Sequence, residues 1–229
     1  MWRWAGRPLL GAGPERRWAA IALAWCAVVV VALGVLFAHQ TRADGFDRVI
    51  DEPIVSWLGP HHTLLGWMEY PGTQVPAVVV SLALALACLL ARRLNGAILA
   101  VTAVFIATRV DDWLLKPLFD RTYLGALVYP SGHTSSVVAI TATYALLFAI
   151  PPQQARTRPL RLAGLAVLLA ITVITVLGVI GLRWHYFTDT IGGAAVAIGT
   201  VCALALALDW AAARITPARA AGRGSPGPR

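Results

Sequence analysis

Residues 162–182 read LAGLAVLLAITVITVLGVIGL, a run of 21 residues that contains no charged side chain. An α-helix rises 1.5 Å per residue, so about 20 apolar residues cover the roughly 30 Å hydrocarbon core of a bilayer. The run therefore predicts a helix that crosses a membrane.

Five other apolar runs have the same character, and they cover residues 18–38, 75–91, 96–115, 135–150 and 190–208. Together the six runs predict an all-α, polytopic membrane protein whose six transmembrane helices form one bundle over residues 18–211. Residues 1–17 are predicted to be a cytoplasmic segment, and residues 212–229 a disordered basic tail. The first run exceeds the apolar core of a signal peptide and no clear cleavage site follows it, which favours an uncleaved span.

Hydrophobic residues make up 58% of the chain and charged residues only 13%, with a mean hydropathy of +0.69. A soluble domain carries about twice that share of charge. The net charge of +8 could indicate a nucleic-acid partner. The arginines, however, fall in short clusters between the apolar runs and do not build one basic face. We interpret them as charges that orient the chain in a membrane, with no nucleic acid bound.

Four arginine clusters lie on one side of the membrane if the six spans alternate in direction. They comprise Arg3, Arg7, Arg16 and Arg17, then Arg92 and Arg93, then Arg156, Arg158 and Arg161, and finally Arg214, Arg219, Arg223 and Arg229. Because basic residues accumulate in cytoplasmic loops, both termini are predicted to be cytoplasmic. The Ala-, Arg- and Gly-rich composition points to a bacterial chain, so the predicted location is the bacterial inner (plasma) membrane.

The longest loop on the opposite side covers residues 39–73. It begins with acidic residues and continues with Trp and Leu residues that predict short helices at the membrane interface. These helices either anchor the loop or help to cover an active site. The three cysteines, Cys26, Cys88 and Cys202, each lie inside an apolar run and predict neither a disulfide framework nor a zinc site. No metal site or other cofactor is predicted, because the adjacent His61 and His62 have no clear third ligand.

Three polar segments lie at span ends on the same side as this loop. They are residues 116–121 (KPLFDR), 130–134 (PSGHT) and 183–189 (RWHYFTD). Ionisable residues at or near membrane depth are functional candidates by default. All three segments therefore point to one site at the extracytoplasmic ends of the helices.

The first two segments carry groups that suit a phosphate. Lys116 is the only lysine among 19 basic residues, and its ammonium suits an anion, while the planar guanidinium of Arg121 can bind phosphate in a bidentate manner. Ser131 and Gly132 form a tight turn into a helix, whose exposed N–H groups bind anions. His133 is then placed to donate a proton to a leaving group.

The third segment supplies a nucleophile. His185 and Asp189 are four residues apart, one turn on the same helical face if a helix begins near His185. The carboxylate can hold one imidazole nitrogen protonated, which leaves the other free to attack phosphorus. Arg183 lies beside them as a further cation.

These segments, in this order, resemble the type 2 phosphatidic acid phosphatase family, which shares its site with bacterial acid phosphatases and vanadium haloperoxidases. The family pattern is Lys-x6-Arg-Pro, then Pro-Ser-Gly-His, then Ser-Arg-x5-His-x3-Asp. The chain matches it at Lys116, at residues 130–133, and at His185 and Asp189. It departs from the pattern at Tyr123-Leu124, in place of Arg-Pro, and at Gly178-Val179, in place of Ser-Arg. The resemblance is that of a divergent member in which Arg121 and Arg183 stand near the absent arginines.

The resemblance implies a two-step hydrolysis of a lipid phosphate without a metal ion. His185 attacks phosphorus to form a phosphohistidine, Asp189 stabilises the imidazolium, and His133 protonates the leaving group and then activates water. Lys116, Arg121, Arg183 and the backbone around Ser131 and Gly132 neutralise the phosphate oxygens. The expected substrates are a polyprenyl phosphate or pyrophosphate, phosphatidylglycerol phosphate or phosphatidic acid. A lipid phosphotransferase, a haloperoxidase, and a non-catalytic lipid-binding or transport protein on the same scaffold are the alternatives.

Overall fold

Helices account for most of the residues that the structure, a computed structural model, describes, namely 8–11, 13–150 and 156–215. The helices are α1 (Pro14–Leu36), α2 (Gly45–Leu58), α3 (His62–Glu69), α4 (Gln74–Leu90), α5 (Leu94–Val110), α6 (Lys116–Phe119), α7 (Gly132–Tyr144), α8 (Arg158–Gly181) and α9 (Phe187–Ile215). A small antiparallel hairpin, β1 (Thr122–Tyr123) and β2 (Ala126–Leu127), joins α6 to α7. The predicted all-α class is confirmed.

Five helical runs in the described ranges are long and apolar enough to cross a membrane. They are Pro14–Leu36, His62–Leu90, Gly132–Ala149, Arg158–Gly181 and Phe187–Arg214. The predicted span at 96–115 is not among them, so the count of six spans is not confirmed. Its α-helix, α5, has only 17 residues. It then continues as a π-helical turn, Asp111–Leu115, that begins with two acidic residues.

Small residues let α5 pack inside the bundle. Ala97, Ala100, Ala103 and Ala107 are all buried, and α5 contacts α4, α7 and α9. Close helix approach through small residues is how membrane helices associate, because lipid gives apolar side chains no reason to cluster. Large apolar side chains such as Trp25 on α1 face outward, as a lipid environment favours. The long apolar helices confirm a membrane protein.

The loop at 39–73 folds into two helices, as predicted. The first, α2, begins after Asp44, whose carboxylate accepts the N–H of Asp47 as an N-terminal cap. It packs against α8 and α9, while α3 packs against α8. Both helices therefore cover one end of the bundle, the end at which all three polar segments also lie.

The ends of the chain differ from the predicted boundaries. The first helix begins at Pro14 rather than at residue 18, and α9 extends through Ile215, so the first four residues of the predicted tail are helical. Upstream of α1, the N–H groups of Leu9 and Leu10 donate to the two carboxylate oxygens of Asp209 at 2.7 and 2.8 Å. Residues 1–7, 12, 151–155 and 216–229 lie outside the described residues, and with them most of the predicted tail.

Candidate active site

A cavity of about 860 Å³ opens at this end of the bundle. Five of the eight predicted site residues line it: Lys116, Gly132, His133, Arg183 and His185. They come from α6, from the first turn of α7 and from the loop between α8 and α9. The three segments are thus brought together. The other three residues, Arg121, Ser131 and Asp189, lie buried behind the cavity wall.

His185 precedes α9 and is held by a backbone carbonyl. Its Nδ1 lies 3.0 Å from the carbonyl oxygen of Val128, and because a carbonyl only accepts, this nitrogen carries the proton. Nε2 is then unprotonated and has no hydrogen-bond partner among the described residues. Burial, together with the nearby His133 and Lys116, lowers the pKa of His185 to about 3. The imidazole is therefore neutral at neutral pH, as a nitrogen nucleophile must be.

The predicted hydrogen bond between Asp189 and His185 is not formed. The shortest distance between them, from Nδ1 to Oδ2, is 3.9 Å, because α9 begins only at Phe187 and His185 precedes it. Oδ2 of Asp189 instead accepts the N–H of Tyr186 at 2.8 Å, and Oδ1 accepts from Arg121 at 2.6 Å. The carboxylate fixes the start of α9, and only its charge acts on His185.

Arg121 does not reach the cavity, contrary to the prediction that it binds phosphate. Its side chain is fully buried, with one nitrogen 2.6 Å from Asp189 and another 2.5 Å from Asp47. The guanidinium also stacks between the rings of Phe37 and Tyr186, at 4.4 Å from each centroid. Its position is set by two carboxylates and two rings, so Arg121 holds α2, the hairpin and α9 together behind the site.

Ser131 also has a structural role in place of the predicted contact with phosphate. It is the N-cap of α7, where its hydroxyl accepts from the N–H and the hydroxyl of Thr134 at 3.4 and 3.1 Å. A Cβ at Gly193 of α9 would collide with the Ser131 carbonyl oxygen, so the two helices meet closely here. Ser131 therefore sets the start of the helix, while Gly132, the next residue, lines the cavity.

The cationic side of the cavity includes one residue that the sequence motifs did not assign. Arg109 lines the cavity next to Lys116, and its guanidinium lies over the rings of Phe105 and Trp113 at 5.1 and 4.7 Å. The Lys116 ammonium is 2.7 Å from a carboxylate oxygen of Asp112, one turn earlier. Together with Arg183, three cationic side chains therefore line the cavity.

Glu69 is a second residue that the sequence analysis missed. Its Oε2 lies 3.2 Å from Nε2 of His133, and both side chains are largely buried. Glu69 is the only charged residue in the run His62–Leu90, and a lone carboxylate in an apolar helix was the signal that could have found it. Within the described ranges, no group of three or more His, Cys, Asp or Glu side chains suits a metal ion.

Two departures from the family pattern agree with the local structure, Leu124 in place of proline and Gly178-Val179 in place of Ser-Arg. Residues Leu124 and Gly125 form the two-residue turn of the hairpin, both with positive φ, and a proline at 124 cannot adopt that conformation. A Cβ at Gly178 would lie 2.8 Å from the backbone nitrogen of Glu69, and Val179 is fully buried. Packing of α3 against α8 therefore leaves no room there for the larger residues.

The cavity continues from its polar head into a groove between α4 and α5. Its apolar walls are Ala77, Val78, Leu82, Val101, Val104 and Phe105. Val101 precedes Lys116 by 15 residues, so the groove descends roughly 20 Å at 1.5 Å per residue. A bilayer core is about 30 Å thick. The groove therefore has the length and polarity to accept the tail of one lipid.

The comparison with protein families agrees with this geometry. Residues 115–213 match the family model described as PAP2 superfamily, a range that contains all three motifs. The resemblance is thus confirmed over this segment, which covers less than half of the chain and is similar to the PAP2 superfamily. Members of the superfamily are generally phosphatases, which supports a phosphoric-ester hydrolase acting on a lipid-like phosphate. No curated protein and no solved structure matched the chain.

Proposed function

We propose that this protein is a membrane lipid phosphatase that works through a phosphohistidine on His185. The observation that carries the proposal is the state of this imidazole. It is neutral, its Nδ1 proton is bound by Val128, and its Nε2 is left for a phosphorus atom in the cavity. Arg109, Lys116 and Arg183 line the same cavity and can neutralise a phosphate there.

The proposed reaction has two steps. Nε2 of His185 bonds to phosphorus as the bond to the leaving oxygen breaks, and His133 gives that oxygen a proton. A water molecule then returns a proton to His133 and attacks phosphorus, which breaks the N–P bond and releases inorganic phosphate. Lys116, Arg183 and the backbone at Gly132 neutralise the equatorial oxygens. Asp189, 3.9 Å from Nδ1, stabilises the charge that develops on His185.

The groove between α4 and α5 supports a lipid as the substrate. A phosphate at the cationic head of the cavity places its hydrocarbon chain between these helices, where the walls are apolar. Polyprenyl phosphate or pyrophosphate, phosphatidylglycerol phosphate and phosphatidic acid all meet this requirement. The arginine bias of the loops supports a site on the extracytoplasmic face of a bacterial plasma membrane, with both termini cytoplasmic.

The test measures phosphate release from each of these lipids by detergent-solubilised protein in the presence of EDTA. We expect activity in the wild type and a loss of at least about 10³-fold in His185→Ala. His61→Ala, which changes an exposed histidine outside the cavity, serves as the matched control and retains activity. A brief reaction with labelled substrate, quenched in base, leaves an acid-labile label on the protein.

Three outcomes would contradict the proposal. Activity that persists in His185→Ala excludes this histidine as the nucleophile. Transfer of phosphate to an added alcohol without release to water indicates a phosphotransferase. No turnover of any lipid phosphate, together with saturable lipid binding, indicates a non-catalytic lipid-binding protein.

A further inference from the structure

The closest charged neighbour of His133 comes from α3, outside the segment that matches the family. Glu69 ends α3, and its Oε2 approaches Nε2 of His133 to 3.2 Å. Two glycines allow this approach. A Cβ at Gly178 on α8 would meet the Glu69 backbone nitrogen at 2.8 Å, and a Cβ at Gly72 would meet the Cβ of His133 at 2.9 Å. Packing of α3 and the following turn therefore holds the carboxylate against the imidazole.

The Glu69 carboxylate has one oxygen, Oε2, that can still accept a hydrogen bond beside His133. Oε2 of Glu69 is buried and receives no aligned hydrogen bond from any of the described residues. A buried acceptor without a donor is costly, so native structures rarely leave one unpaired. Nε2 of His133, at 3.2 Å, is within donor distance of it. Nδ1 is then the nitrogen that remains for the cavity.

We infer that Glu69 is a positioning residue for His133, which it orients through Nε2 and stabilises while that imidazole is protonated on both nitrogens. The inference rests on the proposed phosphatase function. When the bond between phosphorus and the leaving oxygen breaks, the proton on Nδ1 moves to that oxygen, and Nε2–H stays directed at Glu69. Water returns a proton to Nδ1 in the second step. Glu69 remains ionised throughout and touches neither the phosphate nor the leaving group.

The charges around His133 show why such a partner is needed. Lys116 and Arg183 line the same cavity, and the ring of His185 lies 6.1 Å from that of His133. Both cations repel an imidazolium. Asp112 is the one carboxylate among the described residues that line this cavity, but it is already paired with Lys116 at 2.7 Å. Glu69 is thus the carboxylate available to balance a charge on His133.

The test compares two esters that differ in how much their leaving group needs a proton. Decyl phosphate releases an alkoxide, which must be protonated, whereas 4-nitrophenyl phosphate releases a stable phenolate. We expect Glu69→Gln to lower kcat for decyl phosphate by about 10²-fold, in the range of general acid catalysis. KM stays within about twofold, because Glu69 does not contact substrate. For 4-nitrophenyl phosphate we expect a change of less than about threefold.

A double-mutant cycle separates positioning from general damage. With His133→Asn as the background, Glu69→Gln should cause no further loss, because the two act as one unit. Glu52→Gln, which removes an exposed carboxylate on α2, is the matched control and leaves both rates unchanged. Should the glutamine variant not be recovered as folded protein, Glu69→Asp keeps the charge but withdraws it by one methylene, and it should lower kcat for decyl phosphate alone.

Equal losses for the two esters, or losses that add to those of His133→Asn, would overturn the inference and leave Glu69 a structural residue. The wild-type reaction separates this result from a failure of the proposed function. If the wild type releases phosphate from neither ester nor from any lipid phosphate, both the phosphatase function and the role of Glu69 are contradicted. If it releases phosphate but Glu69→Gln affects both esters equally, the phosphatase function is retained and only the role of Glu69 is contradicted.

Discussion

Replacing Asp47 by alanine should destabilise the protein more than any change of an exposed charge on the same helix. Asp47 lies on α2 and is fully buried, although it belongs to the loop over the end of the bundle. Its carboxylate accepts from Arg121 at 2.5 Å and from both the N–H and the hydroxyl of Thr188 at 2.9 Å. The variant removes all three interactions and leaves Arg121 with one carboxylate, Asp189.

The expected size of the effect follows from the burial of both partners. Asp189 still compensates the Arg121 guanidinium, so the cost comes from the three buried donors of Arg121 and Thr188 that lose their acceptor. At the lower end of the range for unsatisfied buried groups, this is about 3–5 kcal/mol in total. No discount for solvent screening applies, since neither side chain is exposed. In a domain of this size, 1 kcal/mol lowers Tm by about 2–4 °C. We therefore expect Asp47→Ala to lower Tm by about 6–20 °C.

Thermal unfolding of the detergent-solubilised protein, followed by intrinsic fluorescence, measures the shift. Glu52→Ala is the matched control, because Glu52 lies on the same helix, is mostly exposed and pairs only with Arg48 at 3.8 Å. It should lower Tm by less than about 2 °C. Asp47→Asn, which keeps the shape but not the charge, should fall between the two. Equal and small shifts in Asp47→Ala and Glu52→Ala would refute the argument that this network holds α2 on the bundle.

Three further predictions concern the cavity and its cover. Lys116→Ala should lower kcat/KM for a lipid phosphate by about 10²-fold, measured by phosphate release, because a cation is lost from the phosphate site; an unchanged value would remove Lys116 from the site. Val101→Trp should lower activity on long-chain lipid phosphates but spare short-chain ones, and equal effects would exclude the groove as the place of the tail. Burial and the charge of Asp47 raise the pKa of Asp51 to about 7, so stability falls as pH rises from about 4 to 7 and is constant above. Asp51→Asn should thus gain in Tm over wild type across that interval, and a gain independent of pH would contradict this.

The long helices could be predicted because insertion into a membrane depends on the hydrophobicity of a continuous segment, which is a local property of the sequence. A run of 20 apolar residues needs no knowledge of its neighbours to be recognised as a span. The structure departs from the prediction at α5, where Asp111 and Asp112 interrupt the run and the α-helix gives way to a π-turn. The apolar run at 96–115 was therefore an ambiguous signal for a span. Buried small residues, rather than the length of the apolar run, keep α5 in the bundle.

The cavity-lining residues could be found because they end apolar runs on one side of the membrane. Which of the charged residues face the cavity could not be found in this way. Arg121 is turned away by Asp47, 74 residues earlier in the chain, and no local pattern encodes a pair at that separation. The partner of His185 Nδ1 is the backbone carbonyl of Val128. Every residue carries such a carbonyl, so the amino-acid type at position 128 gives no sign of this hydrogen bond.

The departures from the family pattern are best understood as a division of the charges into two layers. The rear layer, Asp47, Arg121 and Asp189, is buried and closed, since each charge in it already has an ionic partner. The front layer is more accessible, because the ion pair of Lys116 with Asp112 is partly exposed to the cavity. Arg121 in the rear layer therefore positions the helices, while Lys116, Arg109 and Arg183 line the cavity. Although the chain lacks the family arginines at positions 123 and 179, Lys116, Arg109 and Arg183 still line the cavity.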